Sequence, residues 1–169
     1  MRILGIDPAI RTTGYGVVEQ CTNGSWHILD CGVIRNTRAM SHSECLRRLA
    51  GGVRELVNTF APDAASMEDP FVGKNASTAI ILGMARGVII GALAELAVPV
   101  YSYSPTRAKQ AAVGTGRAQK NQVALRMAAR FEIEVGSIPL DATDALALAI
   151  CHGQYAGTPE LARLLTKTI

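Results

Sequence analysis

No Cys-x-x-Cys pair occurs among the four cysteines (Cys21, Cys31, Cys45, Cys151), and no apolar leader stands ahead of the first apolar run. A disulfide framework and a secretory route are therefore not expected; reduced, structural thiols in a cytoplasm are. Zinc-type histidine and cysteine spacing is missing too. The three histidines (His27, His42, His152) stand singly, and no serine has a His-Asp arrangement about it, which leaves no covalent nucleophile to argue for. Repeats, linkers and low-complexity segments are absent, so residues 1–169 read as one domain, long enough for a real core. Negative charge is scarce over one long stretch. From Pro70 to Phe131 eight basic residues face the single acid Glu95, a local charge of +7, while the remaining nine basic and thirteen acidic residues sum to −4. The net +3 of the whole chain hides that division. An acidic cluster beside a basic surface suits a polyanionic substrate cut with metal help, although lysines dispersed in solvent would imply no partner at all.

What is present begins with Arg2-Ile3-Leu4-Gly5-Ile6-Asp7, a near-continuous apolar run that ends in a carboxylate. Such a run reads as a central strand buried on both faces, and Pro8 ends it because proline cannot donate to a ladder. Gly14 to Gln20 alternates as a second strand, and Asn23-Gly24 turns the chain into a third, Trp26 to Arg35. Ser41-His42-Ser43-Glu44 is a capping-box pattern for a helix that Pro62 stops. Asp63 to Glu68 follows as a fourth strand, and a helical crossover favours parallel pairing there. The helix expected from Ala76 to Leu96 is apolar nearly all round and long enough to cross a membrane, but Arg86 in its middle, Glu95 and the strands on either side argue against that. Gly83, Gly87 and Gly91 mark one face of it where another backbone comes close, either the underside of the sheet or a dimer seam. Val98 to Tyr103 gives a fifth strand. Ser104-Pro105 opens a short helix, Gly114-Thr115-Gly116 breaks it, and helices are expected from Ala118 to Phe131 and from Asp141 to about Tyr155.

Four acids fall at element ends. Asp7 closes the first strand, Glu68 closes the fourth, and Asp141 and Asp144 share one face in the first turn of the last helix. Asp-x-x-Asp at a helix start is also an N-cap with dipole support, and Asp-Pro alone is also a turn. Gathered together, the four mean more. Two carboxylates about 5 Å apart repel by roughly 3 kcal/mol at an effective dielectric of about 20. A pocket of them is relieved by protonation or by a hard divalent cation with oxygen ligands, of which Mg²⁺ is the usual one. Two such ions can activate a water and stabilise a leaving 3′-oxygen in phosphodiester hydrolysis. His152, eight residues after Asp144 on one helix face, reads as an ordinary partly buried histidine ahead of any support for the acids. Phe71, in the loop Asp69 to Asn75 with Gly73 and Lys74, either folds back into the core or wedges into a base stack while the lysine grips phosphate. Arg107, Lys109, Arg117 and Lys120, with the glycines between them, have phosphate-contact chemistry.

These segments, in this order and spacing, resemble the RuvC family of Holliday-junction resolvases over nearly the whole chain. The matching residues are Gly5-Ile6-Asp7-Pro8 with Thr13 to Val17, Glu68 with Phe71 and Lys74-Asn75, Ala85 to Val88, Val113-Gly114 with Lys120, and Asp141 to Leu146. The resemblance implies an α/β, ribonuclease H-like fold: a five-stranded mixed sheet, antiparallel in its first three strands and then parallel, flanked by helices. It implies a homodimer that nicks two strands of like polarity at a four-way DNA junction with Mg²⁺ or Mn²⁺, two ions per site, and a RuvA–RuvB branch-migration partner. By position Asp7, Glu68, Asp141 and Asp144 would be the metal-binding catalytic acids. Phe71 would stack at the opened crossover, and Lys109 and Lys120 would lie near the scissile phosphate.

Two positions depart from the family pattern. Ala9 stands where glycine usually follows Asp-Pro, which would strain the turn if that residue needs positive φ. Glu68-Asp69 replaces Glu-Gln, and strand alternation should point the extra acid away from the site. Other functions fit less well. Actin-like and sugar-kinase ATPases open similarly but need a second domain and a second phosphate loop, for which 169 residues leave no room. A non-catalytic junction-binding module would not need four acids. A relative acting on RNA or on simple branched duplex is the nearest enzymatic alternative.

Overall fold

The computed structural model describes residues 1–69, 75–156 and 167–169. β1 (Arg2–Asp7) is paired along both edges, antiparallel to β2 (Thr12–Gln20) and parallel to β4 (Ala64–Glu68). β3 (Trp26–Arg35) closes the meander through Gly24, whose φ of 83° is the left-handed conformation that the Asn-Gly turn requires. β5 (Val100–Tyr103) continues the sheet parallel to β4. The five strands thus have the expected mixed pairing, in the order β3-β2-β1-β4-β5. A two-residue β6 (Lys167–Thr168) adds an antiparallel edge to β5 that the sequence does not announce.

α1 (His42–Phe60) starts at Ser41, where both hydrogen bonds of the capping box form with Glu44, and ends at Ala61 in the left-handed region, just ahead of Pro62. It packs with α2 (Ala76–Glu95) on one face of the sheet, over a core of Leu4, Ile6, Val53, Met67, Ile89 and Leu93. α5 (Leu140–Ala156) covers the other face with α3 (Pro105–Val113) and α4 (Lys120–Phe131) beside it, over Ile3, Val18, Met127, Leu146 and Ile150. Each fully buried aliphatic side chain contributes about 1.5–3 kcal/mol, so β1, with Ile3, Leu4 and Ile6 all at or below 1% exposure, anchors both cores. α4 starts two residues later than Ala118 because the side chain of Gln122 accepts from the Gln119 amide, a glutamine cap that the usual Ser/Thr/Asp/Asn pattern does not signal.

α2 is long and apolar enough by composition to cross a membrane. It is nevertheless bound to the sheet: Ala85, Ile89, Ala92 and Leu93 are buried, and Arg86 donates to the main-chain carbonyl of Glu68. Gly83, Gly87 and Gly91 do not face the sheet. They are exposed, with nothing within 4 Å of their would-be Cβ positions, beside Ile80 and Met84, which are 64% and 39% exposed.

Candidate active site

Asp7 ends β1 opposite Gly14 on β2, and the first turn of α5 lies directly over that pair. The missing Cβ of Gly14 is what allows the approach, and the missing Cβ of Gly5 admits the carbonyl of Ala145 in the same way one turn further along α5. The result is that carboxylate oxygens of Asp7, Asp141 and Asp144 lie within 4.8 Å of one another. Glu68 stands outside that trio but lines the same cleft of about 170 Å³ together with Asp7, Asp144, Lys109 and Lys120. The structure thus brings all four acids to one end of the sheet. An all-oxygen donor set at this spacing fits a hard divalent cation.

The electrostatics follow from the crowding. Asp7 is pushed up to about 7, first by burial and then by the Asp144 carboxylate, with Lys120 pulling the other way and Glu68 and Asp141 adding to the rise. Glu68 is raised as well, by burial and by Asp144, against the opposing charges of Lys120, Lys109 and Arg86. Lys120 is held protonated more firmly than usual, above all by its hydrogen bond to Asp144, where Nζ lies 2.6 Å from Oδ2. Without a cation, Asp7 therefore keeps its proton to a higher pH than an ordinary carboxyl.

Around the cleft the turn after Asp7 is unstrained. Ala9 has no positive φ; the Thr13 hydroxyl donates to the Ala9 carbonyl and accepts from the Ala9 amide. Asp69 points to the opposite face of the sheet from Glu68, where the hydroxyl of Ser102 donates to it. Lys109 and Lys120 join the acids, but two other basic residues do not. Arg107 lies on the side of α3 where its charge acts on Tyr103, Cys151 and Tyr155, and Arg117 is exposed in the connection between α3 and α4. Phe71 and Lys74 lie outside the described residues. His152 is a core residue: its Nδ1 shares a 2.7 Å hydrogen bond with the Tyr103 hydroxyl, its ring stacks on Tyr101, and burial lowers it to about 4. The interactions that sequence reasoning missed are Lys120 to Asp144 and Arg86 to Glu68. A lone charge inside an apolar helix was the available signal for the second.

Residues 3–152 match the family model described as Crossover junction endodeoxyribonuclease RuvC. The protein of that name from Chloroflexus aurantiacus is 42% identical over 160 residues, covering 94% of this chain and 96% of the relative. That of Solidesulfovibrio magneticus is 45% identical over 150 residues, covering 89% and 88%. The structure is similar to Thermus thermophilus RuvC solved in complex with a Holliday junction substrate, with a TM-score of 0.89 at 31% identity over 100% of this chain and 99% of that one. A sheet of this order, flanked by helices and carrying acids at the ends of β1, β4 and α5, is ribonuclease H-like, and the chain belongs to the RuvC family of crossover junction endodeoxyribonucleases.

Proposed function

We propose that this chain is a structure-selective endodeoxyribonuclease that resolves four-way (Holliday) DNA junctions by paired, symmetric, metal-assisted hydrolysis of phosphodiester bonds. The observation that carries the reading is the convergence of Asp7, Asp141 and Asp144, with Glu68 and two lysines in the same cleft. Asp7, Glu68, Asp141 and Asp144 are the catalytic acids and would hold the metal, Mg²⁺ or Mn²⁺, as two ions. When bound, such ions lower the pKa of a water and stabilise charge on the leaving 3′-oxygen. The chain's own residues prepare for that. Burial and the neighbouring carboxylates make the Asp7 carboxyl a weaker acid than usual, so a cation held there would displace its proton. Lys109 and Lys120 at the cleft present cations to the phosphate backbone, with Arg107, Arg117 and Lys74 further contributors to DNA binding. Phe71 stacks at the opened crossover.

Paired nicks of like polarity call for two sites related by a two-fold axis, hence a homodimer. The exposed face of α2, with Ile80, Met84 and the three glycines, is apolar and allows close approach of a second backbone, which supports it as the seam. Residues 1–169 act as a single nuclease domain in the cytoplasm, with a RuvA–RuvB-type branch-migration complex as partner. The test is to incubate the protein with Mg²⁺ on a synthetic four-way junction, a linear duplex and an RNA–DNA hybrid and to map the nicks. Symmetric nicks on the junction alone are expected. Cutting of the hybrid in preference would assign it to RNA, and binding without cutting would make it a junction-binding module.

A further inference from the structure

We propose that Arg86 is a positioning residue for the acidic cleft, acting through the last peptide of β4, with the charge of the Asp69 carboxylate, itself bonded by Ser102, favouring the guanidinium there. The inference rests on the reading of Glu68 as a metal-holding acid. Glu68 is the final residue of its strand, and its main chain is supported unequally. Toward β5 it is in register with Tyr103, and the following Asp69 amide still donates to the Tyr103 carbonyl at 2.8 Å. Toward β1 the ladder stops one residue earlier, at Ile6 opposite Met67. The Glu68 carbonyl is instead taken by Nη1 of Arg86, which reaches it from α2 on the other face of the sheet.

Arg86 is the only charged residue in the interior of α2 and is half-buried, a placement that costs desolvation and calls for partners. Burial does lower its affinity for its proton, and the carboxylates of Asp69 and Glu68 oppose that loss. Asp69, the acid that departs from the family pattern, points to the same face as Arg86 and accepts from the Ser102 hydroxyl. Successive strand residues point to opposite faces, so the peptide that follows Glu68 sets the direction of its side chain. A guanidinium bound to that peptide's carbonyl resists its rotation and keeps the Glu68 carboxylate aimed into the cleft. Loss of an interaction that orients a ligand in this way typically weakens metal binding by about 10–100-fold.

The measurement is the Mn²⁺ dissociation constant of the full chain by titration calorimetry, without DNA and independent of cutting. Arg86→Met should weaken Mn²⁺ binding by about tenfold. Arg86→Lys should recover part of that loss, and Glu68→Gln should weaken binding at least as much. In the double variant Glu68→Gln/Arg86→Met the second change should add nothing, because Arg86 acts through Glu68. Should Arg86→Met fail to fold, Asp69→Ala makes the same test through the carboxylate whose charge favours the Arg86 guanidinium, with a smaller weakening expected. Wild-type affinity in folded Arg86→Met or Asp69→Ala, or additive losses in the double variant, would overturn the positioning role alone. Unchanged affinity in Glu68→Gln would overturn the assignment of Glu68 and this inference with it.

Discussion

The main-chain carbonyl oxygen of Asp141 lies 2.0 Å from the point where a Cβ on Gly14 would stand. Gly14 is also the cross-strand partner of Asp7, so a single absent side chain lets the start of α5 settle over the end of β1. The proximity of Asp7 to Asp141 and Asp144 depends on that approach of one main chain to another.

Gly14→Ala is therefore expected to push the first turn of α5 away from the sheet. Because the collision is with backbone, no rotamer change relieves it, and a loss of about 1–3 kcal/mol in urea denaturation is expected, along with loss of Mg²⁺ binding. Gly51 provides the contrast: it is exposed within α1 and nothing lies within 4 Å of its would-be Cβ. Gly51→Ala should raise stability by about 0.5–1 kcal/mol. Equal effects of the two substitutions would remove the steric account of the site.

Asp7→Asn tests the crowding of the acids. The folded pKa of about 7 is above the unfolded value of 3.8, so the folded state holds this proton the more tightly. Its contribution to stability is complete below 3.8 and disappears as pH rises through 7. In EDTA the wild type should thus lose stability across that window, and Asp7→Asn should lose less and melt higher at pH 8. Mg²⁺ should stabilise the wild type more than the variant. Junction binding should persist while nicking stops. A variant that melts lower in EDTA and still nicks would place Asp7 in a structural turn.

Metal binding should also report the Asp7 proton. Calorimetry in buffers of different ionisation enthalpy is expected to find up to one proton released per site below pH 7, falling towards zero by pH 9. Mg²⁺ affinity should rise with pH and level off above about 7, where Asp7 is already ionised. A flat profile from pH 5 to pH 9 would contradict the raised Asp7.

Lys109 and Lys120 flank the cleft, and replacing both with alanine should weaken junction binding. The salt dependence should become shallower by about 0.9 for every phosphate that is no longer neutralised. Filter binding from 50 to 200 mM salt would measure the slope. If it is unchanged, the phosphate-binding surface lies elsewhere.

The exposed stripe of α2 predicts a concentration-dependent dimer. Gly87→Leu, whose Cβ would meet nothing within 4 Å in the folded chain, should shift sedimentation towards monomer while the Mg²⁺ affinity of each subunit stays as it was. A dimer of undiminished stability would move the seam to another surface.

Much of this site could be read in the sequence because its determinants are local. The apolar run into Asp7-Pro8 specifies a buried strand and its end, and Ser41 with Glu44 fixes the start of α1. The pair Asp141 and Asp144 shares a helix face by spacing alone. What could not be read depends on distances between elements. Lys120 and Asp144 are 24 residues apart and meet only because α4 packs beside α5. Gly83, Gly87 and Gly91 signal close approach by their periodicity, but periodicity does not say whether the partner is the chain's own sheet or another molecule. For β6, two residues are too few to carry any alternation.

The close approaches at glycine bear on how such a protein can change over generations. Where a strand and a helix are separated by side chains, every substitution between them alters the gap, and later substitutions must correct it. At Gly5 and Gly14 nothing stands between β1–β2 and α5 except main chain, which is the same whatever the neighbouring residues are. At those two points the gap is therefore set by main-chain contact rather than by side-chain size. The cost of that arrangement is concentrated at the glycines themselves, where a single inherited methyl group would undo what dozens of changes elsewhere would not.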